Sequence, residues 1–141
     1  MVDPGRSYEF PAPVVMAVEQ ESRDSYRAAA RRIEASGADL VWVQHEYGIY
    51  GGASGEFLFD LLDEVSVPVV ATLHTVLKDP NAEQRRVLER LAQRASMLIV
   101  MAERARVLLR DVYGVPPAKV VVIEHGVPDR AYEAPSAARR R

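Results

Sequence analysis

The chain has 141 residues, of which 48% are hydrophobic, enough to form the core of one domain. Its 18 Lys and Arg nearly balance its 20 Asp and Glu, so no long-range field favours nucleic acid or an anionic membrane. The absence of cysteine excludes disulfides, thiolate zinc sites and thiol nucleophiles. No apolar run approaches the roughly 20 residues that span a bilayer, and the N-terminus has no signal-peptide pattern. We therefore expect a soluble, cytoplasmic, single-domain protein.

The hydrophobic period alternates along the chain between short apolar runs and helical stripes. Apolar runs predict strands over 14–18, 40–44, 68–73, 97–100 and 120–123. Four helices are predicted: one over about 22–36, one that follows the glycine at 55, one from Asp79-Pro80 to about 95, and one around 105–112. A polar tail is predicted from about 130. This order, with short links and unbroken apolar strands, predicts an α/β fold: a parallel sheet with helices on both faces.

The only three histidines of the chain each follow a predicted strand. His45 follows the run 40–44, His74 follows 68–73, and His125 comes two residues after Ile123. Because the carboxyl ends of parallel strands lie along one edge of a sheet, we expect the three imidazoles to meet there and form a site. The alternative is that each histidine is simply a polar residue that caps a strand.

The segment from Gln44 to Gly55 contains four glycines and two tyrosines between a strand and a helix. Glycine lets the backbone approach a ligand closely, and the N–H groups at a helix start attract an anion or a hydroxyl-rich group. The segment contains no G-x-G-x-x-G motif, so it does not predict a dinucleotide site. Farther along, Thr72, His74 and Thr75 offer hydroxyl and imidazole groups suited to a sugar or another polyol. An ordinary flexible connection remains the alternative for the glycine-rich segment.

Two other chemistries are compatible with single features of the chain. His45, Glu46, His74 and His125 are residue types that bind zinc, although no closely spaced ligand pair is present. A serine nucleophile lacks its usual G-x-S-x-G turn, and Ser54 is better explained as a helix cap. We expect no resident metal and no cofactor.

Four segments together resemble the N-terminal domain of glycosyltransferase family 4 enzymes. The match covers about 26–129, most of the chain, and the segments read ADLVWVQHEYGIYGGASG, PVVATLHTVLKDP, SMLIVMAERARVLL and KVVVIEHGVPD, in the family order and at the family spacing. The resemblance implies a Rossmann-like domain, one of two that face each other across a cleft. The first domain takes mainly the acceptor, and the second takes the nucleotide-sugar.

The resemblance also implies roles for single residues. His74, after the T-x-H-T strand, would reach the donor sugar and is the predicted catalytic residue. The QHE loop, with His45, Glu46, Gly51 and Gly52, would line the acceptor side. The predicted substrate-binding set is completed by Thr75, His125 and Gly126.

Measured against the family pattern, the chain is expected to be a fragment. The first strand of the family would lie upstream of Met1, and the second domain would lie beyond Asp129. Two single residues also differ from the family pattern: Ala102 replaces the usual serine, and Glu124 replaces the usual proline. We therefore predict an incomplete acceptor domain over 1–129, followed by a tail over 130–141. In the complete enzyme its partners would be a nucleotide-sugar donor and a carbohydrate or lipid-linked acceptor, with retention of configuration, no nucleic acid and no transmembrane segment.

Two predictions accompany this interpretation. The strand 40–44 would lack a neighbour, so its exposed edge would favour self-association, and 14–18 would either fill the gap or be poorly ordered. The chain alone is expected to be inactive. A non-catalytic glycan-binding module and a metal-dependent hydrolase that uses the three histidines are the alternative functions.

Overall fold

A computed structural model describes residues 1–3, 5–6 and 8–126. Four helices and four strands alternate along most of the chain: α1 (Arg23–Ser36), β1 (Val41–His45), α2 (Phe59–Leu62), β2 (Val69–Leu73), α3 (Ala82–Arg94), β3 (Met97–Val100), α4 (Glu103–Tyr113) and β4 (Val120–Val122). Two 3₁₀ helices, Ala53–Leu58 and Pro117–Lys119, precede α2 and β4. The predicted tail and residues 127–129 lie outside the described residues. The predicted α/β class is confirmed.

Local signals in the sequence explain where the helices begin and end. The Ser22 side chain accepts a hydrogen bond from the Ser25 N–H at the start of α1, and Gly37 ends that helix with a φ of 70°. Helix α3 begins later than the Asp79-Pro80 signal predicts. There Asn81 and Gln84 form a reciprocal capping box, with backbone-to-side-chain distances of 2.8 and 2.9 Å. This box satisfies two free N–H groups at once, which is why the start shifts to Ala82.

The four strands are parallel and follow each other in simple succession, β1-β2-β3-β4. Right-handed crossovers that always advance in the same direction place every connecting helix on the same face of the sheet. Accordingly, the core joins helical residues such as Leu88 and Leu91 with Val43, Ala71 and Leu98 from one face of the strands. The prediction of helices on both faces is wrong for the described residues, because sequential order leaves the second face without a helix.

The uncovered face carries a neutral and mostly apolar surface, which we call the open face. It consists of the alternate strand residues Trp42, Gln44, Val70, Thr72, Met97, Ile99 and Val121. Trp42 is 60% exposed. Parallel sheets are normally covered on both sides, so this exposed apolar surface is unusual.

The predicted strand over 14–18 is wrong. These residues form no part of the sheet, and Val15 is 76% exposed; the neighbouring backbone makes only an isolated parallel bridge between Val2 and Glu19. An apolar run forms a strand only when another strand is available to pair with it. Strand β1 is therefore at the edge of the described sheet, as the sequence analysis expected for that strand.

The glycine-rich segment leads into a broken helix rather than a continuous one. The 3₁₀ helix Ala53–Leu58 contains positive φ values at Ser54 (55°) and Gly55 (89°), and α2 is only four residues long. Leu58, Phe59, Leu62 and Val65 of this segment are buried. No helix within the described ranges is long and apolar enough to cross a membrane.

Candidate functional site

An open groove of about 330 Å³ lies at the carboxyl edge of the open face. Side chains from β1, β2 and β3 and from the chain after β4 line it: Trp42, Gln44, Thr72, His74, Ile99, Met101, Ile123, Glu124, His125 and Gly126. Two of the three predicted histidines, His74 and His125, therefore share one groove. The predicted binding residue Gly126 lies there too.

Hydrogen bonds order the polar side chains of this groove. The Nε2 atom of His74 lies 2.9 Å from Oε1 of Gln44, and the His74 N–H donates to the carbonyl of His45 over 2.9 Å. The indole N–H of Trp42 donates to Oγ1 of Thr72 over 2.8 Å. Side chains from β1 are thereby joined to β2 and to the residue that follows it. The groove presents neutral donors and acceptors beside the flat apolar surface of an indole, a combination that suits a hydroxyl-rich ligand.

His45 does not join the other two histidines. It is the last residue of β1 and pairs in register with Leu73, so its side chain points to the face that the helices cover. The imidazole is 0% exposed, neither ring nitrogen has a hydrogen-bond partner in the described structure, and Tyr47 and Tyr50 flank it at centroid distances of 5.1 and 6.3 Å. Burial lowers the pKa of His45 to about 4. The prediction of a three-histidine site is wrong because β1 extends one residue farther than 40–44.

The described residues contain no group of three His, Cys, Asp or Glu side chains that is close enough to hold a metal ion. The separation of His45 from the groove is the reason that the histidines do not assemble into such a group. The metal-dependent hydrolase alternative therefore lacks a converging ligand set in the described structure.

Glu46 and Thr75 connect the two loops that follow β1 and β2. Oγ1 of Thr75 donates to Oε2 of Glu46 over 2.6 Å, and the Tyr47 N–H donates to Oε1 over 2.9 Å. One carboxylate oxygen thus binds the Thr75 side chain and the other binds the backbone at Tyr47. Tyr50 also stabilises the loop after β1, because its hydroxyl donates to the Gln44 carbonyl over 2.7 Å. Burial raises the pKa of Tyr50 to about 12.

Gly51 and Gly52 lie at a close contact between the loop after β1 and the helical layer. The N–H of Gly51 donates to the Tyr26 hydroxyl over 2.9 Å, and an added Cβ would overlap the backbone of Gln20 and the ring of Phe57. Gly52 has a φ of 76°, and its Cβ would lie 2.5 Å from the Phe57 ring. Packing thus accounts for both glycines, while their predicted contact with substrate stays a prediction.

Sequence reasoning did not single out Trp42, Gln44 and Glu124 as groove residues. The alternation of β1 was the available signal, because Trp42 and Gln44 occupy the same face of a strand whose other face is buried. Nothing in the sequence indicated that this face lacks a covering helix.

Comparison with protein-family models supports the family resemblance that the motifs indicate. A family model described as Glycosyltransferase Family 4 matches residues 5–130. Neither the comparison with curated proteins nor that with solved structures gave a match. The matched region covers the sheet, the four helices and the groove, so the chain belongs to Glycosyltransferase Family 4.

Proposed function

We propose that the chain supplies the acceptor side of the cleft in a nucleotide-sugar-dependent glycosyltransferase of the retaining type. The observation that carries this proposal is the placement of His74, His125 and Gln44 around one open groove at the carboxyl edge of a parallel sheet. Ligands of such sheets bind at that edge. Family membership supports sugar transfer as the chemistry.

The charges of the groove indicate that it binds the acceptor and not the phosphates of the donor. Among the described residues that line the groove there is no Lys or Arg, and Glu124 is the only carboxylate. A nucleotide diphosphate is bound most strongly by basic side chains or a helix N-terminus, so this groove suits the neutral hydroxyls of a sugar better. The donor phosphates would be held by residues outside this groove, and we expect the 141-residue chain alone to transfer no sugar.

His74 is the proposed catalytic residue, and His125 and Gly126 are the proposed substrate contacts beside it. Glu46 and Thr75 would position the loops at the edge of the cleft through their mutual hydrogen bond. Gly51 and Gly52 would allow the loop after β1 to pack closely and so stabilise the edge of the cleft. The buried His45 would support the same loop through its contacts with Tyr47 and Tyr50. A lipid-linked or free carbohydrate is the proposed acceptor class.

His74→Ala tests the catalytic assignment. Loss of a neutral hydrogen bond costs about 0.5–1.5 kcal/mol, which corresponds to a reduction of up to about tenfold in binding or transfer. In an enzyme in which this domain is combined with a nucleotide-binding domain, we expect His74→Ala to lower sugar transfer by about that factor. The melting temperature should not change, because His74 is exposed and its side chain bonds only Gln44 within the described structure.

His125→Ala in the same enzyme is the matched variant on the other side of the groove. It should also weaken transfer without loss of stability. Normal transfer per folded molecule in His74→Ala would contradict the proposal, and transfer by the 141-residue chain alone would contradict the division of roles. Binding of a methyl glycoside to the chain, with no transfer in the combined enzyme, would favour the non-catalytic binding module.

We further infer that the chain alone self-associates through the exposed edge of β1, with a second copy covering the open face and its groove, so that self-association and acceptor binding exclude each other. The strand residues of this face carry no charge, so two copies can meet without like-charge repulsion, and burial of Trp42 and Val121 is favourable. The edge of β1 beside this face has no neighbouring strand in the described sheet. Such an edge and such a face are the features through which sheet proteins associate.

Val121→Lys is the variant that tests self-association. Sedimentation should show a dimer that this charge on the open face abolishes, and the emission of Trp42, the only tryptophan of the chain, should shift to the red with it. Val107→Lys, at an exposed position on α4, is the control and should leave the dimer intact. A wild-type chain that stays monomeric with a solvent-exposed tryptophan spectrum at every concentration would contradict this inference.

A further inference from the structure

We propose that Gln44 is a positioning residue that holds the neutral imidazole of His74 in the tautomer with its proton on Nε2. The Nδ1 atom of His74 then accepts a hydrogen bond, so the groove selects a ligand hydroxyl at this point rather than a phosphate or carboxylate. The selection of a hydroxyl rests on the proposed function of the groove, whereas the tautomer itself does not.

The backbone on both sides of this pair is held by the sheet. Gln44 pairs in register with Thr72 on β1 and β2, and its carbonyl accepts the Tyr50 hydroxyl over 2.7 Å. His74 follows β2 directly, and its N–H donates to the His45 carbonyl over 2.9 Å. The two side chains therefore start from fixed positions on the same face of the sheet. Only side-chain torsions need to be fixed to bring them together, because the backbone at both residues is already held by hydrogen bonds.

The chemistry of the contact decides the tautomer. Neutral imidazole carries one N–H, and an amide oxygen can only accept a hydrogen bond. With Oε1 of Gln44 2.9 Å from Nε2 of His74, the pair forms a hydrogen bond when Nε2 carries the proton, and this is the tautomer that we assign. The remaining nitrogen, Nδ1, has a free lone pair and no proton.

An acceptor nitrogen in this groove discriminates between classes of ligand. A sugar hydroxyl can donate to Nδ1, whereas the dianion of a phosphate monoester or a carboxylate has no proton to donate. Glu124 lines the same groove, and no Lys or Arg among the described lining residues offsets its charge. Both features disfavour an anion. The arrangement also prepares His74 to take a proton from a hydroxyl group that is being activated, the role of a general base.

Imidazole nitrogen NMR of the ¹⁵N-labelled chain at alkaline pH reads the tautomer directly, since the chain has only three histidines. We expect His74 to show a protonated Nε2 and an unprotonated Nδ1 without averaging. In Gln44→Leu, which removes the acceptor, the two nitrogen shifts should move toward averaged values. In Gln44→Glu, which keeps an acceptor oxygen, they should return to the wild-type pattern. His125, exposed in the same groove, is the internal control and should not respond to either change at Gln44.

A protonated Nδ1 in the wild type, or a His74 pattern that Gln44→Leu leaves unchanged, would overturn the proposal. Melting temperatures of the variants guard against misfolding, because Gln44 is exposed and its replacement leaves no cavity. A titration with methyl glucoside and another with methyl phosphate, a dianion without a proton at alkaline pH, then address the ligand. Movement of Nδ1 with the glycoside alone supports hydroxyl recognition, and movement with methyl phosphate alone overturns it. If neither probe acts while the tautomer is as expected, the proposed function of the groove fails and the positioning by Gln44 stands.

Discussion

Gly51→Ala should lower the free energy of unfolding by about 3 kcal/mol, the upper part of the range for overpacking a tight site. An alanine Cβ at this position would overlap the backbone carbonyl of Gln20 and would lie 2.7 Å from Cδ2 of Phe57. A backbone atom cannot move aside as a flexible side chain does. The contact between the loop after β1 and the start of α1 would have to open, and the Gly51–Tyr26 hydrogen bond would be lost with it.

Urea unfolding of the chain measures this effect, with Gly126→Ala as the matched control. An added Cβ at Gly126 meets no atom of the described residues within 4 Å, so this variant should unfold like the wild type. If Gly51→Ala were as stable as the wild type, the packing explanation would be wrong, and the direct contact with substrate predicted for Gly51 would become the better explanation of the glycine.

Acidification should destabilise the chain through His45. Its pKa is about 4 in the folded state because of burial, against an ordinary value of 6.5 in the unfolded chain. Between these values the unfolded state binds a proton that the folded state does not. The contribution to stability is therefore complete above pH 6.5, falls as the pH decreases through 6.5 toward 4, and stays lost below. The difference corresponds to about 3 kcal/mol, since one pKa unit is about 1.4 kcal/mol.

His45→Phe removes the titrating group and the two buried nitrogens that lack partners. We expect the free energy of unfolding of this variant to change much less between pH 7 and pH 4.5 than that of the wild type. Comparison of the two proteins cancels the carboxylates, which titrate in both, and His125→Phe at an exposed site should behave like the wild type. Equal pH dependence of wild type and His45→Phe would mean that His45 is accessible to protons in the folded state.

Local sequence patterns determined the existence and order of most elements. The runs that became β1, β2, β3 and β4 were each placed within one or two residues, because a strand buried on its core side needs β-branched and apolar residues in sequence. Gly37 and Gly114 end their helices with φ values of 70° and 65°, as their freedom to adopt positive φ predicts. The motifs also predicted the family, which was confirmed over residues 5–130.

Only the tertiary structure decided which residues form the groove. Strand β1 ends at His45, one residue later than predicted, and successive side chains of a strand point to opposite faces. The side chain of His45 therefore points into the core, whereas that of His74 lies in the groove. The run 14–18 looked like a strand, but strand formation needs a partner that local sequence does not specify. The open face likewise depends on sheet order, a long-range property. Gln44 and Trp42 became groove residues because none of the described helices covers their side of β1, and no local pattern encodes that arrangement.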